Sequence, residues 1–180
     1  MPEYPANAPP HPFRINLGSL LPQSIGYKRE FPLEYSKIQL DDDLTLTEFI
    51  GLVTANRTPQ GILIQGDFEG KLALDCVRCL KLFDYTLQWE ITELYVFNRR
   101  NATEDDLILP DNAGIDLGEL IQEEAHLDRP FNPVCKEGCL GLCQICGTDL
   151  NLDDCGHEDI PPEEPPEDEN SPFAGLKDLI

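Results

Sequence analysis

The sequence predicts an α+β protein: an antiparallel β-meander or partly closed sheet, with one main helix and a Cys-rich zinc-binding segment. Three observations carry that expectation. Apolar residues recur with a period of two between about residues 44 and 97. A single later stretch, 115–130, changes to a helical period. Four of the seven cysteines fall within the twelve positions 135–146.

Residues 1–12 hold five prolines and read as a flexible arm. From "FRINLGSLL" onward the chain is strand-like. "DLTLTEFIGLVTANRT" alternates in part, which is expected to bury Leu44, Leu46, Leu52 and Val53. "GILIQGDFEGKLALDCVRC" follows, then "FDYTLQWEITELYVF", where Tyr85, Leu87, Trp89, Ile91, Tyr95 and Phe97 keep the strand period. The separators are "TPQG" (58–61), "GDFEG" (66–70) and "CVRC" (76–79), all turn-like. These links are too short for helical crossovers, so four or five strands should pair antiparallel.

"NRRNATEDDLILPDNAG" is polar and reads as a long loop. In "IDLGELIQEEAHLDRP", Leu117, Leu120, Ile121 and Leu127 share one helical face with Ala125 at its edge. Asp116 suits the N-cap, Glu119 the capping-box position, and Pro130 the stop. His126 reads as a surface or partly buried helix residue. Residues 13–157 are thus expected to form one α+β domain, with its zinc-binding segment at 135–157. Beyond it, residues 158–170 pack seven acids and four prolines and contain no Lys or Arg, so 158–171 reads as an acidic extended linker. Residues 172–180 carry Phe173, Leu176, Leu179 and Ile180 on one face of a short apolar helix suited to docking.

Charge narrows the function. The chain has 13 basic and 34 acidic residues, a net of −21, with −3 in residues 1–100 and −18 in residues 101–180. A broad grip on a nucleic-acid backbone needs Lys and Arg to neutralise phosphates, so this balance disfavours it and suits solubility or a basic protein partner. The start lacks the basic and apolar regions of a secretory signal, and no apolar run approaches the roughly 20 residues that span a bilayer. The expected location is the cytoplasm, where thiols stay reduced and a Cys cluster reads as metal-binding or redox-active.

A structural zinc ion takes four thiolate or imidazole ligands in a tetrahedron. "CVRC", "CKEGC" and "CQICG" each offer two sulfurs from one turn, and "CGH" at 155–157 offers a tighter pair. Seven cysteines and His157 make eight ligands, enough for two ions. The favoured partition places Cys76, Cys79, Cys135 and Cys139 on one ion, and Cys143, Cys146, Cys155 and His157 on the other. A single ion held by Cys135, Cys139, Cys143 and Cys146 is the alternative, and iron could fill an all-Cys site. Among the rivals, a thiol-disulfide oxidoreductase would use Cys76 and Cys79, but strands flank that pair and no helix N-terminus is expected there to lower a thiol pKa. Catalytic zinc would need a base such as Glu137 or Asp153, and no HExxH-type spacing supports either. No phosphate loop, nucleophile elbow or basic aromatic stripe is present, so no enzyme is expected.

The blocks "LDCVRCLKLF", "IDLGELIQEE", "PFNPVCKEGCLGLCQICGTDLN" and terminal "SPFAGL" together resemble the YceD family, the large ribosomal RNA subunit accumulation proteins. The resemblance implies an accessory factor that supports large-subunit ribosomal RNA, with metal-binding cysteines at Cys76, Cys79, Cys135, Cys139, Cys143 and Cys146. Where many relatives carry Cys-x-Cys, this chain has Cys155-Gly156-His157. Combined with the charge, the resemblance implies action through a basic ribosomal protein or assembly factor, with no membrane and no small-molecule substrate. A direct RNA-binding zinc module is the alternative.

Overall fold

The computed structural model describes residues 12–97 and 107–157. The expected arm, the linker at 158–171 and the tip at 172–180 lie outside the described residues, apart from Pro12. The elements are β1 (Arg14–Asn16), a 3-10 turn (Gly18–Leu20), β2 (Lys28–Gln39), β3 (Thr45–Arg57), β4 (Gly61–Asp75), β5 (Leu82–Val96), β6 (Leu107–Ile108), β7 (Gly114–Asp116) and α1 (Gly118–Leu127). The main sheet has the order β2-β3-β4-β5-β6, and the β1–β7 pair forms a second, two-stranded sheet. Strands β2 to β5 make the expected antiparallel meander. The fifth strand departs from it: β6 pairs parallel to β5, with Tyr95 opposite Leu107. Among the described residues β2 and β6 remain as two edges, so the sheet is open and the expected partial closure is not seen.

Alternation works where the ladder is regular. Leu87, Trp89, Ile91 and Tyr95 of β5 are buried, opposite alternate residues of β4. It fails at Leu52, which is 40 % exposed. The register of β3 shifts between Thr47 and Ile50, where Glu48 takes a positive φ of 51°. The extra residue flips the alternation, so Phe49, Val53 and Ala55 face the core while Ile50 and Leu52 face out.

The expected turn at 58–61 is present: the Gly61 N–H donates to the Thr58 Oγ1 at 3.1 Å. The one expected at 66–70 is not, because "GDFEG" lies inside β4. Its glycine serves packing. A Cβ on Gly66 would meet the Phe68 ring at 2.7 Å, and one on Gly51 would meet it at 2.5 Å. Removing both side chains lets Phe68 stack on Trp89, with centroids 5.5 Å apart, and on Phe49 at 6.0 Å.

The helix packs Ile121 and Ala125 against this core, with Leu120 half-buried. Two details differ from expectation. Leu127 is 74 % exposed, since at about 3.6 residues per turn it lies well off the face that Ile121 and Ala125 bury. The N-cap is Leu117; Asp116 stands one residue earlier, and its Oδ1 accepts the Gly118 N–H at 3.0 Å without forming a capping box. His126 is a half-buried helix residue, as expected, and pairs with Asp41 in the β2–β3 connection. Gln122 donates to the same Asp41 carboxylate at 3.0 Å. The His126 hydrogen bond holds the Asp41 carboxyl below its usual range, against the opposing effect of burial.

Candidate metal centre

The first cysteine pair sits in the tight turn that joins β4 to β5. The Cys76 N–H donates to the Lys81 carbonyl at 2.9 Å, and the Leu80 N–H donates to the Cys76 carbonyl at 2.9 Å. This turn forces Leu80 into the left-handed region at φ 58°, a conformation that costs an ordinary residue roughly 1–2 kcal/mol. Three backbone-directed bonds then pin the distant 131–142 segment against it. Val77 N–H donates to the Pro133 carbonyl, Leu142 N–H donates to the Arg78 carbonyl, and Arg78 Nη1 donates to the Cys139 carbonyl at 2.9 Å. Gly141 is needed at this crossing. Its φ is +80°, and a Cβ there would stand 3.0 Å from the Arg78 carbonyl oxygen.

The result is a sulfur quartet. Cys76 Sγ lies 3.8 Å from Cys139 Sγ, and Cys79 Sγ lies 3.6 Å from Cys135 Sγ. A tetrahedron with ~2.3 Å metal–sulfur bonds has edges of about 3.8 Å, so the spacing suits one ion. It is far beyond the ~2.05 Å of a disulfide, and all seven cysteines are free.

The second set forms on a smaller turn. Cys143 N–H donates to the Thr148 carbonyl and Gly147 N–H to the Cys143 carbonyl, both at 2.8 Å, and Leu142 bridges Asp149. Gly147 supplies the positive φ of +75° that closes it. His157 Nδ1 lies 3.4 Å from Cys155 Sγ and 3.8 Å from Cys143 Sγ. These bracket the roughly 3.6 Å edge expected between a zinc-bound nitrogen and sulfur. In each quartet the four ligand atoms lie within 4.8 Å of one another. The grouping is Cys76, Cys79, Cys135, Cys139 and Cys143, Cys146, Cys155, His157, the two-set partition. The single set of Cys135, Cys139, Cys143 and Cys146 is not brought together.

Electrostatics follow from crowding. Burial works to raise the Cys76 thiol, but backbone N–H groups of Cys135, Cys79 and Arg78 outweigh it and bring it down to about 6. Thr148, through its hydroxyl and then its N–H, lowers the Cys146 thiol to about 6. Burial and the neighbouring Cys79, Cys139 and Cys76 thiols push Cys135 up to about 12. Each set thus holds one thiol that ionises readily, Cys76 or Cys146, beside others that neighbouring thiols push upward, Cys79 and Cys135 in the first set and Cys155 in the second. A divalent cation would remove that opposition, because three or four thiolates this close repel strongly without one.

Residues outside the ligand set complete the site. Asn151, which lies between Cys146 and Cys155 in the chain, reaches the first set: its Nδ2 donates to Cys139 Sγ at 3.4 Å and to Asp149 Oδ1 at 2.7 Å, while its Oδ1 accepts the Leu140 N–H at 3.0 Å. Sequence reasoning missed Asn151, Thr148 and Arg78, since polar residues beside a Cys motif carry no spacing signal of their own. Gly141 carried one, a glycine between two cysteine pairs. Glu137 and Asp153 are exposed and belong to neither quartet.

An open sheet whose loop end gathers two sets of four potential metal ligands defines a cysteine-rich β-protein. A family model described as large ribosomal RNA subunit accumulation protein YceD matches residues 64–180, and the chain belongs to that family. It is also similar to uncharacterised proteins of Mycobacterium bovis and Mycobacterium tuberculosis, 32 % identical over 97 residues, covering 51 % of this chain and 46 % of each relative. A Mycobacterium leprae protein, likewise uncharacterised, is 29 % identical over 127 residues, 67 % of this chain and 54 % of its own. The chain thus spans about half the length of these relatives. No solved structure matches it. Among the described residues, no helix is long and apolar enough to cross a membrane.

Proposed function

We propose that the protein is a non-enzymatic, cytoplasmic accessory factor in ribosome biogenesis, supporting accumulation of large-subunit ribosomal RNA through a basic protein partner. Two structural zinc ions hold its Cys-rich end: one on Cys76, Cys79, Cys135 and Cys139, the other on Cys143, Cys146, Cys155 and His157. Residues 13–157 act as one folded unit. The observation that carries the metal reading is the pair of quartets with near-tetrahedral edges. The family description supports the link to ribosomal RNA, and the net charge of −21 supports a basic partner over direct RNA contact. Bound zinc supplies fixed geometry and charge neutralisation; the chain's own residues supply the shape.

Dithiol chemistry is the second reading, and the lowered Cys76 thiol is the observation that favours it. Burial argues against it. Cys76 is 0 % exposed, and a catalytic thiolate must be reached by its substrate.

Elemental analysis of untagged protein purified under reducing conditions tests the metal reading. About two zinc per chain is expected; folded protein without metal and with reactive thiols would overturn it. Large-subunit ribosomal RNA levels in a deletion strain, with and without the complementing gene, test the biological role.

A further inference from the structure

The solvent-facing side of the main sheet carries a feature that the metal centres do not use. Pairing places Pro32 opposite Leu52 and Glu34 opposite Ile50 across β2 and β3. Leu52 in turn faces Asp67, and Ile50 faces Glu69, across β3 and β4. Asp67 then faces Glu90 on β5. These seven residues lie on one face, and they line a cavity of about 600 Å³ that crosses four strands. At ~4.8 Å between strands it is roughly 14 Å wide. Ile50 is 51 % exposed and Leu52 40 %. The bulge in β3 is what turns them outward, so a local backbone irregularity creates the apolar floor. No basic residue lines the cavity. Lys71, two positions beyond Glu69 on β4, is ion-paired with Glu48.

An apolar floor ringed by four carboxylates has a definite complement. We propose that this face docks a basic polypeptide segment of a partner protein, its large apolar side chains over Ile50 and Leu52 and its Lys or Arg side chains on Glu34, Asp67, Glu69 and Glu90. The proposal deepens the basic-partner reading above and rests on it. Charge complementarity selects the occupant. The chain's own 158–170 segment would bring seven more acids to these carboxylates. A second copy would set like carboxylates against one another, and an RNA strand would bring phosphates to them.

The test uses the full chain and fluorescein-labelled 15-residue peptides in anisotropy titrations. One peptide combines Lys with Leu, a second replaces Leu by Ser, and a third replaces Lys by Glu. The Lys/Leu peptide should bind best. The double variant Ile50→Ser/Leu52→Ser leaves net charge unchanged and should weaken its binding about tenfold or more, with little effect on the Lys/Ser peptide. The triple variant Glu34→Gln/Asp67→Asn/Glu90→Gln should also weaken it and reduce its salt dependence. A matched triple on α1 and its C-cap, Glu119→Gln/Glu123→Gln/Asp128→Asn, should change it less than about twofold.

Unchanged binding by the Ile50/Leu52 variant would overturn the proposal, since the attraction would then be the general pull of an acidic chain. Cellular capture that depends on this face but disappears with ribonuclease would overturn it in favour of RNA. A wild-type dimer in light scattering that the Ile50/Leu52 variant loses would overturn it in favour of self-association. Ribosomal RNA levels in the deletion strain separate the two readings. Normal levels there would sink the biogenesis role and leave the groove to be judged on the titrations alone.

Discussion

The sheet and the Cys-rich end are held by different physics. The sheet buries Phe49, Leu46, Val53, Ile62, Ile64 and Leu87 essentially completely, in long ladders that need nothing but the chain itself. Residues 135–157 contain one isolated bridge and no named strand or helix. Three of their large apolar side chains point outward, Leu140 at 67 % exposed, Ile145 at 52 % and Leu152 at 80 %, while Leu142 is half-buried against the cysteines. What that end buries is sulfur, with Cys139 and Cys143 among its few covered residues. A segment that short cannot bury enough apolar area to offset its conformational entropy, and the proposed metal ions would take the place of a core.

Removing the metal should therefore have the largest and most uneven effect. Structural zinc contributes on the order of 10–16 kcal/mol of apparent binding energy in small domains. With a strong chelator, amide exchange protection should collapse across 135–157 and in the 76–81 turn while β3 and β4 stay protected. Protection that survives at 135–157 without metal would break the contrast. Phe49→Ala probes the opposite region. It should cost about 3–5 kcal/mol in chemical denaturation, and the folded fraction should keep its full metal content.

Asn151→Ala sharpens the comparison beside the first cysteine set. It removes the donor to Cys139 Sγ and the acceptor for Leu140 N–H. Metal affinity should fall roughly 10–100-fold in a competition titration, with no change in the sheet's unfolding midpoint. An unaltered affinity would mean that Asn151 only decorates the loop.

The smallest effect expected is a pH dependence confined to the Cys-rich end. The Cys76 and Cys146 thiols are lowered to about 6 in the fold, below an ordinary thiol near ~8.5. A depressed pKa contributes stability that is fully present above the unfolded value and is lost as pH falls through the folded one. Metal must displace those protons, so the metal-held order at 135–157 should weaken as pH falls from about 8.5 towards 6. Amide exchange followed across that window checks it, and the sheet should remain unaffected.

The strands of the meander were legible because period-two burial and short turns are local signals. β5 was legible almost residue by residue. The errors cluster where a distant residue changes what a local pattern means. "GDFEG" looks like a turn until Phe68 is seen to need the space over Gly51 and Gly66. Leu52 looks buried until the irregularity near Glu48 is counted. β6 was hidden because two residues carry no periodicity, and their parallel pairing depends on where the chain returns.

By itself the sequence determined the inventory: which segments can be strands, which single stretch is helical, and that eight thiol and imidazole side chains able to ligate a metal occur in pairs that each span one turn. Those properties belong to neighbours along the chain, where backbone geometry leaves few choices. Only the tertiary structure decided which pairs share a site. Cys76 meets Cys139 across 63 residues, and Cys79 meets Cys135 across 56. That pairing is fixed by the bonds from Val77, Arg78 and Leu142 that dock one loop on another. The tertiary structure also decided that Ile50 and Leu52 face solvent, because strand register is set by the partner strand and cannot be read from either strand alone.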